Sequence, residues 1–196
     1  FREGRDVYSE FATEVYGRKV TKDDKIQRFV GKTCILGLGY GMGHVKFRAT
    51  LALGQGGIAV DIDENEARRI VNLYRQKNHK IVSLWHSCGH ALTGMIAGSS
   101  GNICELLPYD KDGITLPNGL KIKYHALRNT SNGFEYIADA RTFRKLAQKR
   151  ILTGEQQKID WTRIYGGKVT ENVVQALARI VVAEQMAVSY THLRAH

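Results

Sequence analysis

Thr21-Lys22-Asp23-Asp24-Lys25-Ile26-Gln27-Arg28-Phe29-Val30-Gly31-Lys32-Thr33-Cys34-Ile35-Leu36-Gly37-Leu38-Gly39-Tyr40-Gly41-Met42-Gly43 is the stretch on which the reading of this chain turns. Thr21 and Asp24 have the form of a capping box, in which the hydroxyl accepts from the third backbone NH of the helix and the acid reaches back. A helix is therefore expected from about residue 22 toward residue 40. Arg28, Lys32, Leu36 and Tyr40 recur at every fourth position. Each such step turns ~40° past a full circle, so the four form one slowly drifting stripe wherever the helix holds. Two cations come first, one turn apart, then an apolar side chain, then a ring.

That order suits a nucleoside triphosphate. Arginine grips phosphate oxygens in a fork and lysine supplies a compact charge. The apolar side chain and the ring are left for sugar and base. Gly31, Gly37 and Gly39 fall inside or at the end of this helix, where each costs ~1 kcal/mol relative to alanine. The expected compensation is close approach of a nucleotide or base pair, with a hinge at Gly39-Tyr40-Gly41.

Rival readings exist for the same residues. A helix with Arg28 and Lys32 facing water has the same spacing. Gly37-x-Gly39-x-Gly41-x-Gly43 looks like a dinucleotide-binding loop, but the G-x-G-x-x-G spacing and the preceding buried strand are missing. Gly31-Lys32-Thr33 lacks the earlier glycine of a Walker loop.

Working outward, residues 4–16 read as a short helix with Val7, Phe11, Val15 and Tyr16 inward, ended by Gly17. Asp63-Glu64-Asn65-Glu66 opens another, whose apolar side is Ala67, Ile70, Val71 and Tyr74. Asn78-His79 interrupts it, and a further helix follows with Ile81, Leu84, Trp85, Cys88, Leu92 and Met95 inward. Ile114–Leu116 and Leu120–Tyr124 flank an Asn118-Gly119 turn and read as a β-hairpin, preceded by a turn at Asp110-x-Asp112-Gly113. A third strand is expected at 134–137. Residues 170–187 read as a last helix burying Val173, Val174, Leu177, Ile180 and Val181. The expected class is α+β, mainly helical, with a small inserted antiparallel hairpin or sheet.

Lys and Arg outnumber Asp and Glu by 29 to 19, a formal charge of +10. Such an excess attracts polyanions and is a common mark of nucleic-acid binding; a generally basic enzyme has it too. Lys121, Lys123 and Arg128, with Arg141, Arg144, Lys145, Lys149 and Arg150, are candidates for the nucleic-acid backbone or for plain solvation. Cys34, Cys88 and Cys104 are odd in number and form no CxxC pair, so neither a disulfide framework nor a zinc site is expected, and a reducing compartment fits. His86 and His90 share a helix face, but a catalytic zinc needs a third ligand. No apolar run approaches the ~20 residues that span a bilayer, so no membrane partner is expected.

Arg28-x3-Lys32-x7-Tyr40-Gly41 resembles motif B of the family A DNA polymerases, the DNA polymerase I type, and above all their phage branch. Phe1-Arg2-Glu3-Gly4-Arg5-Asp6-Val7-Tyr8 and Glu14-Val15-Tyr16-Gly17 look like the segment leading into it. Tyr165-Gly166-Gly167-Lys168-Val169-Thr170-Glu171-Asn172-Val173-Val174-Gln175-Ala176-Leu177-Ala178-Arg179 looks like the phage helix ahead of motif C. The resemblance implies a fingers subdomain over 1–160, a helix returning to the palm over 161–187, and a tail, 188–196, foreign to the family.

It also implies roles. Arg28 and Lys32 would bind the phosphates of an incoming deoxynucleoside triphosphate, Lys32 acting as general acid toward pyrophosphate. Leu36 would face the sugar, where many relatives carry Phe or Tyr. Tyr40, with Gly41, would meet the template base. Gln175 would touch the minor groove of primer–template DNA, with Glu171, Asn172 and Arg179 beside it on the DNA. Magnesium would serve the intact enzyme. Its ligands, an aspartate of motif A and the His-Asp-Glu of motif C, are expected beyond Phe1 and Ala187, so this chain alone is expected to be inactive. A bacterial cytoplasm under phage infection is the implied setting. A basic DNA-binding module without catalysis, and a relative of the single-subunit RNA polymerases, are the alternatives.

Overall fold

The structure is a computed structural model that describes residues 4–54, 56–139, 141, 143, 144 and 160–194, with the side chains of 189–194 outside the description. Phe1, Arg2 and Glu3, and the basic residues Lys145, Lys149 and Arg150, lie outside the described residues. The chain is α+β and mainly helical, with two small antiparallel sheets. It divides into two compact units, residues 1–83 and 84–196.

The first unit is helical. Helix α1 (Val7–Tyr16) starts at Asp6, whose carboxylate accepts from the Tyr8 NH at 3.3 Å and the Ser9 hydroxyl at 2.8 Å. Gly17 ends it in the left-handed region, φ 62°. Phe11, Ala12 and Val15 are buried, but Tyr16, expected inside, is exposed. It stands one residue past Val15, ~100° around the last turn, and rotates off the core face.

Helix α2 (Lys25–Thr33) begins three residues later than the capping pattern suggests. The Asp24 carboxylate does reach back to the Thr21 NH, at 2.9 Å, but the Thr21 hydroxyl accepts from Asp23 rather than from a helical NH. Residues 21–24 close as a compact turn ahead of the helix. The α-helix then gives way to a π-helical segment, Cys34–Leu38, instead of running on.

Gly31 explains how α1 and α2 meet. A Cβ there would lie 2.1 Å from the Tyr8 carbonyl oxygen and 3.0 Å from the Ala12 Cβ. The helical backbones touch, so α1, rather than a nucleotide or base pair, makes the close approach at this glycine. Helices α3 (His44–Leu53) and α4 (Glu64–Lys77) complete the unit. Asp63 caps α4 by accepting from the Glu66 NH at 2.8 Å. The expected Ala67, Ile70, Val71 and Tyr74 all enter the core, where Tyr74 meets the Phe11 ring edge-on at 5.4 Å. Phe29, Val30, Cys34, Leu38, Phe47 and Leu51 fill the same core, each buried aliphatic or aromatic side chain contributing about 1.5–3 kcal/mol before entropy.

Helix α5 (His79–Ala97) contains the division between the units. Cys88, Leu92 and Met95 are buried, as expected, while Ile81, Leu84 and Trp85 are half-buried.

The second unit carries both sheets. Strands β1 (Gly101–Ile103), β2 (Leu107–Asp110), β3 (Gly113–Thr115) and β4 (Lys121–Ile122) form an antiparallel meander. The Asn-Gly hairpin is present, with Ile114 opposite Ile122 and Thr115 opposite Lys121. The turn ahead of it is also present: Asp110 accepts from the Asp112 NH at 2.9 Å and Gly113 takes φ 137°. Strands β5 (His125–Thr130), β6 (Gly133–Ile137) and β7 (Thr162–Ile164) make the second sheet.

Helix α6 (Gly166–Arg194) begins against α5, where a Cβ on Gly166 would stand 1.9 Å from the Trp85 carbonyl oxygen. Val169, Thr170 and Val173 are buried there. Val174 and Val181, expected inside, are 44% and 53% exposed. Among the described side chains the core contact of α6 is confined to its first turns, and the helix runs on past it through Val182 and Met186, which are exposed too.

Candidate functional site

The four stripe residues share one property: none is buried. Phe29, Val30, Gly31, Thr33, Cys34 and Leu38 take the inward side, leaving Arg28, Lys32 and Tyr40 half-buried and Leu36 51% exposed. Arg28 and Lys32 stand on successive turns of α2. Leu36 stands on the π-helical segment, and Tyr40 lies beyond it in a turn where its NH donates to the Gly37 carbonyl at 3.3 Å. The expected single α-helical stripe is therefore two cations on α-helix, an apolar side chain on a wider turn, and a ring off the helix. A π turn holds i→i+5 bonds and re-phases everything after it. Gly41 follows at φ 82°, a conformation glycine adopts without strain. Gly37 is filled by Met42 and Gly39 lies against the Ile35 carbonyl.

Arg28 has a partner that no local pattern announces. Its Nε donates to Asp6 Oδ2 at 2.7 Å and its Nη2 to Asp6 Oδ1 at 3.3 Å. The guanidinium carbon lies 5.3 Å from the Tyr8 ring centre, within cation–π range. These bonds from Arg28, helped by the Ser9 hydroxyl and opposed by burial, lower the Asp6 carboxyl to a pKa of about 2. The helix was expected from residue 4, Asp6 instead caps it, and nothing in the sequence ties Asp6 to a residue 22 positions on.

Two clefts of the first unit lie elsewhere. One, of about 560 Å³, runs along Asp6, Thr13, Lys19 and Lys22. The other, of about 360 Å³, lies along His44, Arg48, Ala52 and Glu64. Arg28, Lys32, Leu36 and Tyr40 line neither.

In the second unit, Glu171 and Gln175 share a face of α6: the Gln175 amide donates to the Glu171 carboxylate at 3.2 Å, and Lys168 donates to it at 2.8 Å. Arg179, one turn on, is exposed. Asn172 points elsewhere and donates to the Tyr124 hydroxyl at 3.2 Å. Burial pushes that phenol up to about 12, so it stays protonated.

The basic residues of the sheets divide in the same way. Lys121 is ion-paired with Asp110. Arg128 bonds Glu135 at 2.9 Å and lies 3.4 Å from the centre of the Trp161 ring, a contact the sequence did not suggest. Lys123 is exposed. With Lys111, Lys121, His125 and Phe143 it lines a cleft of about 520 Å³ in which the His125 and Phe143 rings stack at 4.8 Å.

His86 and His90 are exposed, and among the described residues no three His, Cys, Asp or Glu side chains are grouped to hold a metal ion. Nor is any described helix long and apolar enough to cross a membrane. No protein-family model matches this sequence, and no curated protein matches it.

Proposed function

We propose that this chain is the nucleotide-binding fingers region of a family A, phage-type DNA polymerase, presenting a deoxynucleoside triphosphate to a primer end. The observation that carries the reading is two half-buried cations one turn apart on α2, followed by an exposed Leu36 and a half-buried Tyr40, in the sequence spacing of motif B. In this reading Arg28 and Lys32 offset the charge on the phosphates, and Lys32 protonates the departing pyrophosphate. Leu36 packs on the sugar and Tyr40 on the base. Glu171, Gln175 and Arg179 offer a polar edge to duplex DNA. A donor in the minor groove tests pair geometry without reading sequence, because the acceptors there are nearly the same for every pair. Among the described residues no three His, Cys, Asp or Glu side chains are grouped to hold a magnesium ion.

Triphosphate affinity tests the reading. Titration of the chain with a fluorescent deoxyadenosine triphosphate should give binding that Arg28→Ala and Lys32→Ala each weaken roughly tenfold or more, as for a lost charge-assisted bond. Equal affinity in all three proteins, each shown folded by circular dichroism, would overturn it.

A further inference from the structure

We infer that Asp6 is a positioning residue for Arg28, fixing the guanidinium so that its remaining edge meets the triphosphate. The inference rests on the nucleotide-binding reading above.

An arginine side chain carries much rotamer entropy, which a ligand must overcome when it binds a free one. Arg28 is not free. Asp6 takes the Nε and Nη2 edge in two bonds, and Tyr8 covers one face. The edge that takes no part in this pair is Nη1, and the side chain is still 33% exposed. Asp6 is itself held: it caps α1, accepts from Ser9, and is only 15% exposed. Its anchor, α1, is seated on α2 by the Gly31 contact, one turn of helix from Arg28. The guanidinium is thus held at one edge and one face by a rigid element, which is what a preorganised phosphate ligand requires. The opposite reading is that Asp6 competes with phosphate for Arg28. The two differ in the sign of one measurement.

Asp6→Ser is the discriminating variant, because serine caps a helix about as well as aspartate but is too short to hold the guanidinium. Affinity for the labelled triphosphate, and for inorganic tripolyphosphate as competitor, is measured in Asp6→Ser, Arg28→Ala and the double variant. Positioning predicts a roughly three- to tenfold loss in Asp6→Ser, the entropy of one immobilised long side chain. It predicts no further loss when Asp6→Ser is added to Arg28→Ala. Asp6→Asn, which keeps the cap and one neutral bond, should fall between Asp6→Ser and the wild type, and it replaces Asp6→Ser should that variant unfold. A purely structural role for Asp6 would weaken binding equally in the Arg28→Ala background, and that result overturns the inference. Unchanged or tighter binding in Asp6→Ser, with Arg28→Ala still weakened, overturns it while leaving the nucleotide site standing. Unchanged binding in Arg28→Ala overturns the inference, and unchanged binding in Lys32→Ala as well removes the nucleotide site with it.

Discussion

Replacing Gly31 with alanine puts the α1–α2 contact to the test. Alanine is the better helix former by ~1 kcal/mol, so propensity alone predicts a more stable protein. The added methyl would lie 2.1 Å from the Tyr8 carbonyl oxygen, where ordinary contact begins near 3.4 Å. The obstacle is backbone on a helix, not the end of a flexible side chain, so α1 itself must retreat by more than an ångström. Overpacking of this kind costs ~1–3 kcal/mol, and the rigid obstacle puts the cost at the upper end. Net destabilisation should be about 2 kcal/mol. With a urea dependence near 2 kcal/mol per molar, the unfolding midpoint should fall by about 1 M at unchanged slope, read by far-ultraviolet ellipticity. Gly89→Ala is the internal control: this glycine lies within α5 with nothing within 4 Å of its added Cβ, and the change should stabilise by ~0.5–1 kcal/mol. A Gly31→Ala protein as stable as the wild type would refute the reasoning.

Three further outcomes are expected. The Asp6 carboxyl sits at about 2 against an ordinary 3.8, so its pairing with Arg28 stabilises the fold fully above pH ~4 and is lost as pH falls through 2. The stability gap between wild type and Asp6→Asn, measured by urea titration, should therefore narrow steadily from pH 4 downward, and a gap constant from pH 6 to pH 2 would contradict the pairing. Burial pushes the Cys34 and Cys88 thiols upward while Cys104 is exposed, so Ellman's reagent should titrate one thiol in the native protein and three in denaturant. If the hairpin contacts DNA, Lys123→Ala should lower the slope of log affinity against log salt by about one, and Arg128→Ala, already paired with Glu135, by less; identical slopes for both variants and the wild type would exclude the contact.

What the sequence disclosed was what is decided locally. Asp63 starts α4 and Gly17 ends α1 because a cap needs only its neighbours. The 118–119 turn fixes its own register for the same reason. The β5–β6 hairpin is equally local at its Ser131-Asn132-Gly133 turn, but His125–Thr130 lacks the alternation that marks a strand. Strands β1, β2 and β7 are three or four residues each, too short for a period to register. Val174 and Val181 were misplaced because periodicity marks an apolar face but not how far a neighbour extends along it. At the candidate site, the spacing of Arg28 and Lys32 was readable, whereas the Asp6 bond depends on two helices lying side by side. At the seat of that contact, Gly31, the helix-interior glycine is visible in the sequence, but its neighbour is α1 and not a nucleotide, a tertiary fact that no local pattern carries.

The π-helical segment at Cys34–Leu38 is in effect an α-helix carrying one surplus residue. Because the wider turn absorbs that residue, excising it would let the spiral close normally with the downstream chain on nearly its present bearing. Tightening the turn to plain α-helix without a deletion would instead swing everything downstream by ~100°, while Arg28 and Lys32 upstream stayed put. One letter of the chain is thus taken up locally, and the bearing of the aromatic tip depends on the wide turn persisting rather than on the cations.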